Sequence, residues 1–211
     1  MASPFFWLQQ VRVEVMDSQA SNRKQLTHIT RNQVEQIVHN LAYGNFMLID
    51  LKRLKKAFME LPWMRSVEIS RDWPPALNIL FEEHKPFAYW GETALVNTKG
   101  EVFHAAVENT ALPIFTGPAK SSQLITQQYH VFSRLLRPTG YSITEIALTP
   151  RHAWHIRLDT GIWLKLGKKQ IKHRLQRYVA VHMQHNEDMQ AYADSAYVDL
   201  RYSNGFAVRI H

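Results

Sequence analysis

A chain of 211 residues, 45% hydrophobic and 20% charged, has the balance of a folded globular protein and enough apolar side chain for a core without metal or disulfide staples. It contains no Cys, which excludes disulfides, thiolate metal sites and cysteine nucleophiles together. The formal net charge of +7 is unevenly placed: residues 1–84 hold ten Lys and Arg against nine Asp and Glu, residues 85–211 fifteen against nine.

No apolar run approaches the roughly 20 residues that span a bilayer. Phe5-Phe6-Trp7-Leu8 is too short and lacks the basic lead of a signal peptide. The chain as it stands reads as soluble, with an upstream anchor left open.

Residues 11–15, Val-Arg-Val-Glu-Val, alternate as a strand. A polar stretch with Ser18, Ser21 and Asn22 follows. Thr30 is placed to cap a helix with Val34, Ile37, Val38 and Leu41 on one stripe, ended by Tyr43-Gly44-Asn45. Asp50 opens a second helix, apolar along Leu51, Leu54, Phe58 and Leu61, with Lys52, Arg53, Lys55 and Lys56 toward water and Pro62 beyond its end. Val67 and Ile69 make a strand, residues 71–75 a turn, and Leu77, Ile79 and Phe81 the returning strand. The order is β-α-α-β-β, and composition shifts at Lys85-Pro86.

Beyond that boundary the pattern is mostly hairpins. Strands are expected at Phe87–Trp90, Ala94–Val96, Val102-Phe103 and Leu112–Phe115. A helix capped by Ser121 or Ser122 runs to Pro138-Thr139-Gly140. Strands Tyr141–Leu148, Trp154–Leu158 and Ile162–Leu166 precede a basic helix from Lys168 that packs Ile171, Leu175, Tyr178 and Val179 inward. Tyr197–Tyr202 and Phe206–Ile210, joined by Ser203-Asn204-Gly205, close the chain as a hairpin. The fold class is α+β: a first domain over residues 1–84, then a second, mainly antiparallel β domain with two helices over residues 85–211.

Chemistry-bearing motifs fail one by one. His152 and His155 fall on opposite faces of a strand, and His182 with His185 lacks a third ligand. Gly161 to Gly167-Lys168 has one residue too many for a phosphate loop. The neighbours Glu82 and Glu83 point to opposite faces and cannot share acid–base work. The sequence therefore offers no catalytic, cofactor or metal site. Lys168, Lys169, Lys172, Arg174 and Arg177 form the densest basic patch. It reads as a solvated helix face, or as a surface for a polyanion, and its cations at the helix start oppose the helix dipole.

The runs Leu61-Pro62-Trp63-Met64-Arg65-Ser66-Val67, Arg71-Asp72-Trp73-Pro74, Leu77-Asn78-Ile79 and Glu83-His84-Lys85-Pro86 resemble a POTRA domain of the kind found in the bacterial cell-division family FtsQ/DivIB. The likeness continues in Leu166-Gly167, in residues 174–178 (Arg-Leu-Gln-Arg-Tyr) and in residues 197–208, from Tyr197-Val198-Asp199-Leu200-Arg201-Tyr202 to Phe206-Ala207-Val208. Ile210 stands where many members have Trp.

The resemblance implies a single-pass inner-membrane protein whose periplasmic part is this chain, without the membrane helix. It implies a non-enzymatic septal scaffold that binds FtsB and FtsL and is linked to FtsW and FtsI. FtsB would add a strand to the last strand of the sheet. The contact positions implied are Arg201, Tyr202, Asn204, Gly205 and Phe206, with Arg151 and Trp154 from an earlier segment. Arg201 would meet an acidic side chain and Tyr202 would serve as an anchor. Two other readings are a POTRA chaperone module of outer-membrane assembly or secretion, and a basic nucleic-acid binder.

Overall fold

Thr30 shows how local chemistry starts the first helix. Its hydroxyl accepts the Gln33 N–H at 3.3 Å while the Gln33 side chain accepts the Thr30 N–H at 2.8 Å, a reciprocal capping box. The computed structural model describes residues 8–15, 27–42, 45–107, 111–184, 197–202 and 205–209. The chain divides into two compact units, Met1–Lys85 and Pro86–His211.

In the first unit, β1 (Gln10–Val15) leads to α1 (Arg31–Leu41), α2 (Leu51–Met59), β2 (Met64–Asp72) and β3 (Ala76–Glu83). Asp50 caps α2 by accepting the N–H groups of Lys52 (2.9 Å) and Arg53 (3.1 Å). The sheet order is β1-β3-β2, with β1 parallel and β2 antiparallel to the central β3. Leu77, Ile79 and Phe81 of β3 are buried under Leu54 and Phe58 of α2 and Val34 of α1, and each large side chain so buried contributes about 2 kcal/mol. The polar stretch at residues 16–26 and the helix-ending Tyr43-Gly44 lie outside the described residues.

The second unit runs β4 (Pro86–Trp90), β5 (Ala94–Asn97), β6 (Val102–Phe103), β7 (Ile114–Thr116), α3 (Ser122–Leu136), β8 (Ile143–Leu148), β9 (Trp154–Leu158), β10 (Trp163–Gly167), α4 (Ile171–Gln184), β11 (Tyr197–Asp199) and β12 (Ala207–Arg209). These strands form a nine-stranded sheet in the order β12-β11-β10-β9-β8-β7-β4-β5-β6. Ile125, Phe132 and Leu136 of α3 and Leu175 and Tyr178 of α4 join Ile146, Ile156, Leu164 and Leu166 in one core.

Several expectations need correction. The second sheet is mainly antiparallel, as expected, but hairpins do not account for all of it, since β7 runs parallel to both β4 and β8, and β11 runs parallel to β10. Period-two alternation reports a half-buried strand but carries no information about its neighbour's direction. Ser121 stands before α3, yet its hydroxyl donates to the Pro118 carbonyl (2.7 Å) and caps no helical N–H. The basic helix starts at Ile171, so Lys168 and Lys169 precede it and the conflict with its dipole shrinks to Lys172 and Arg174.

Glu82 and Glu83 diverge as their adjacency requires. Glu82 pairs with Arg65, while Glu83 accepts the backbone N–H groups of Thr27 (3.0 Å), His28 (3.2 Å) and Ile29 (2.8 Å). Glu83 thus ties the approach to α1 onto the last residue of β3. Glu83→Ala leaves three donors without their acceptor and is expected to lower the stability of the first unit by about 1–3 kcal/mol, read as a shifted midpoint in urea unfolding.

Candidate interaction site at the C-terminal sheet edge

The last two strands are short, and each is held differently. β11 is fixed from beneath: Val198 and Leu200 are buried in the core of the second unit, and the Leu200 N–H donates to the Lys165 carbonyl (3.0 Å). β12 has no such support. It pairs antiparallel with β11, Tyr197 opposite Arg209 and Asp199 opposite Ala207, and all three of its residues are exposed. Among the described residues no strand lies beyond it. Its outer border is a row of backbone donors and acceptors open to a further strand.

Two arginines of α4 take the place of a core. The Arg177 guanidinium donates through Nη2 to the carbonyls of Tyr202 (2.6 Å), Leu200 (3.2 Å) and Gly205 (3.2 Å). It also lies over the Phe206 ring, 5.8 Å from the centroid. Arg174 donates to the Leu166 carbonyl (2.6 Å) and the Arg201 carbonyl (3.2 Å). The carbonyls that flank the β11–β12 connection therefore face α4. Gly167 makes room for this arrangement: with φ +75° it sits where a Cβ would lie 2.8 Å from Arg174 Nη1 and 3.1 Å from Arg201 Cγ. By sequence these two arginines belong to a solvated or polyanion-binding patch; of its five cations only Lys168, Lys169 and Lys172 are exposed.

The expected contact residues separate into outward and inward groups. Tyr202 is 58% exposed. Arg201 is exposed and already paired with Asp199, Nε to Oδ1 at 2.8 Å and Nη2 to Oδ2 at 2.5 Å. Gly205 has open space where a Cβ would stand. Arg151 is exposed in the turn between β8 and β9, at the same end of the sheet as Arg201, because Trp154 pairs with Gly167 and Gly167 adjoins Arg201. Two residues point inward instead. Phe206 packs edge-on to Tyr178 (6.2 Å), and Trp154, 6% exposed, stands edge-on to Phe132 (5.7 Å). Trp154 is a core side chain and cannot offer its ring to a partner: strand alternation puts it on the helix-covered face. Asn204 lies outside the described residues.

Across the open face of the sheet, Trp163 stacks on Tyr197 (6.3 Å), Lys165 Nζ lies 4.4 Å from the Tyr197 ring centre, and Arg157 pairs with Glu145 (2.6 Å). Hydrogen bonding from Arg201 holds the Asp199 carboxyl below its ordinary range. Burial, then the charges of Lys165 and Arg201, lowers His155. Among the described residues no cluster of three or more His, Asp or Glu could hold a metal ion, and no helix is long and apolar enough to cross a membrane. His185 is outside the described residues; His182 is buried on α4 against Tyr141 (4.8 Å).

A β-α-α-β-β unit followed by a helix-backed β sheet with an exposed last strand is the architecture of a POTRA domain joined to a β domain. Residues 24–84 match the POTRA domain of FtsQ type, and residues 88–201 match the family described as cell division protein FtsQ/DivIB, C-terminal. The chain is similar to the cell division protein FtsQ of Nitrosospira multiformis, 40% identical over 193 residues that cover 90% of this chain and 79% of the relative. It is also similar to FtsQ of Burkholderia pseudomallei (33% identical, 98% and 80% covered) and of Aliivibrio fischeri (32%, 87% and 72%). The chain belongs to the FtsQ/DivIB family of cell-division proteins, and its role is in the divisome.

The contacts of α4 can be tested at two positions. Arg177→Met keeps the aliphatic stem but removes the donors, and is expected to cost about 1–3 kcal/mol locally, seen as faster amide exchange at residues 207–209 with β8 to β10 unchanged. Burial alone pulls His182 below the ordinary histidine value, so the folded chain resists a proton that the unfolded chain accepts. Its stability contribution is complete above about pH 6.5 and is lost as pH falls below that value. Thermal unfolding at pH 7.5 and pH 5 is expected to show a fall that His182→Gln reduces.

Proposed function

We propose that this chain is the periplasmic part of a single-pass inner-membrane scaffold at the division septum, its membrane helix lying upstream of Met1. In this reading residues 1–84 form the recruiting domain and residues 85–211 the partner-binding domain. It performs no catalysis. It binds FtsB by strand addition to β12, and through FtsB and FtsL it is linked to FtsW and FtsI.

The observation that carries this reading is the outer border of β12, beyond which no strand lies among the described residues, with Ala207, Val208 and Arg209 exposed together. A partner strand laid along it draws affinity from main-chain hydrogen bonds and specificity from flanking side chains. Tyr202 is the amphipathic anchor beside the border, and the Arg201–Asp199 pair presents a guanidinium that an acidic partner residue can share. Arg151 adds a second cation at the same end. Phe206 acts from behind, seating the strand on Tyr178. The nucleic-acid reading loses support because Arg174 and Arg177 are spent on carbonyls.

The test is titration of the FtsB periplasmic segment against wild type and two variants. Tyr202→Ala removes an exposed ring, so the fold and melting temperature are expected to hold while binding weakens about tenfold or more. Gly205→Ala meets no neighbouring atom among the described residues, so a loss of affinity with the fold intact reports a partner pressed against that point. Wild-type affinity in both variants would count against docking at this border.

A further inference from the structure

Three large apolar side chains stand out of the first unit: Leu48 is 81% exposed, Trp73 65% and Met47 61%. Met47 and Leu48 lie in the short helical turn Phe46–Leu48, between the buried Phe46 and Ile49. Arg71 fixes that turn against the end of β2. Its guanidinium donates to the carbonyls of Ile49 (2.6 Å), Phe46 (3.3 Å) and Met47 (3.4 Å). Two residues after Arg71 comes Trp73, in the turn from β2 to β3. The start of β1 arrives at the same place: the Gln9 N–H donates to the Pro75 carbonyl (2.9 Å), and Gln10 is in register with Ala76. The exposed apolar residues thus border the point where the chain comes into the domain, directly after Phe5-Phe6-Trp7-Leu8 in sequence.

Charge at this end is positive. The first turn of α2 exposes Lys52 and Arg53, while the Arg71 guanidinium is taken up by its three carbonyls. Of the acids near α2, Asp50 caps the helix and Asp72 pairs with Arg12 (2.8 Å), and the exposed Glu68 shares a surface recess with Lys52 and Lys55. Tips this exposed form a convex rim, not a groove that would hold a peptide. Protruding Trp, Leu and Met beside Lys and Arg suit the boundary between acyl chains and anionic headgroups.

We infer that this end of the first domain rests on an anionic membrane surface, with Met47, Leu48 and Trp73 entering the headgroup boundary and Lys52 and Arg53 facing the lipid phosphates. The inference rests on the anchored reading above, which brings this end to the bilayer. Its test needs no anchor.

The 211-residue chain is sedimented with vesicles of phosphatidylethanolamine and phosphatidylglycerol, and separately with phosphatidylcholine vesicles. Preferential binding to the anionic vesicles, weakened by salt, is expected, with a fall of about tenfold in the Leu48→Ser/Trp73→Ser double variant. Lys52→Glu/Arg53→Glu is expected to lose the anionic preference. Circular dichroism checks that both variants remain folded. No binding by the wild type, or binding by the serine variant equal to the wild type, overturns the inference; the latter would assign partitioning to residues 5–8. The serine variant should still bind FtsB and Tyr202→Ala should still bind vesicles, so failure of this inference and failure of the FtsB reading are separately visible.

Discussion

The grip of Arg177 on three carbonyl oxygens is the interaction on which the C-terminal border depends. A three-residue strand with every side chain exposed buries too little apolar surface to hold itself in a sheet. Backbone carbonyls that turn away from a ladder also need donors. One guanidinium on α4, whose inner side is seated in the core, meets both needs, because it satisfies acceptors at residues 200, 202 and 205 and covers the Phe206 ring. The border is thereby set in place from behind, and among the described residues no strand lies in front of it.

That arrangement separates the side chains that hold the border from those left exposed along it. Val198, Leu200, Phe206, Tyr178 and the two arginines face the helix-covered side. Arg201, Tyr202 and β12 face outward. Neighbours along the chain therefore do opposite jobs, as strand geometry requires. Strand alternation moves Trp154 from the expected contact set into the core, while Arg151, three residues earlier in a turn, remains outside.

The first unit is nearly all legible in its residues. Thr30 and Asp50 mark helix starts through side-chain acceptors that work within four residues, and the alternation of Leu77, Ile79 and Phe81 marks a buried strand face. Such signals are local, so they survive without knowledge of the rest of the chain. The second unit is legible in its elements but less so in their connections. Parallel pairing of β10 with β11 depends on α4 crossing between them, and no local pattern specifies it. Arg174 and Arg177 look in sequence like any surface cations, because only the folded chain brings carbonyls 23 to 28 residues away to the side of Arg177. The family likeness pointed to this border; the division of its residues into outward and inward groups required coordinates.

The brevity of β12 has a consequence for how long the proposed complex would last. Three residues supply only a few rungs, each contributing about 1 kcal/mol net, so main-chain pairing alone gives weak attachment. Durable capture must draw on side chains around the seam, and weakening a few of them would free the partner. A partner held there in the way proposed would come away without either chain unfolding.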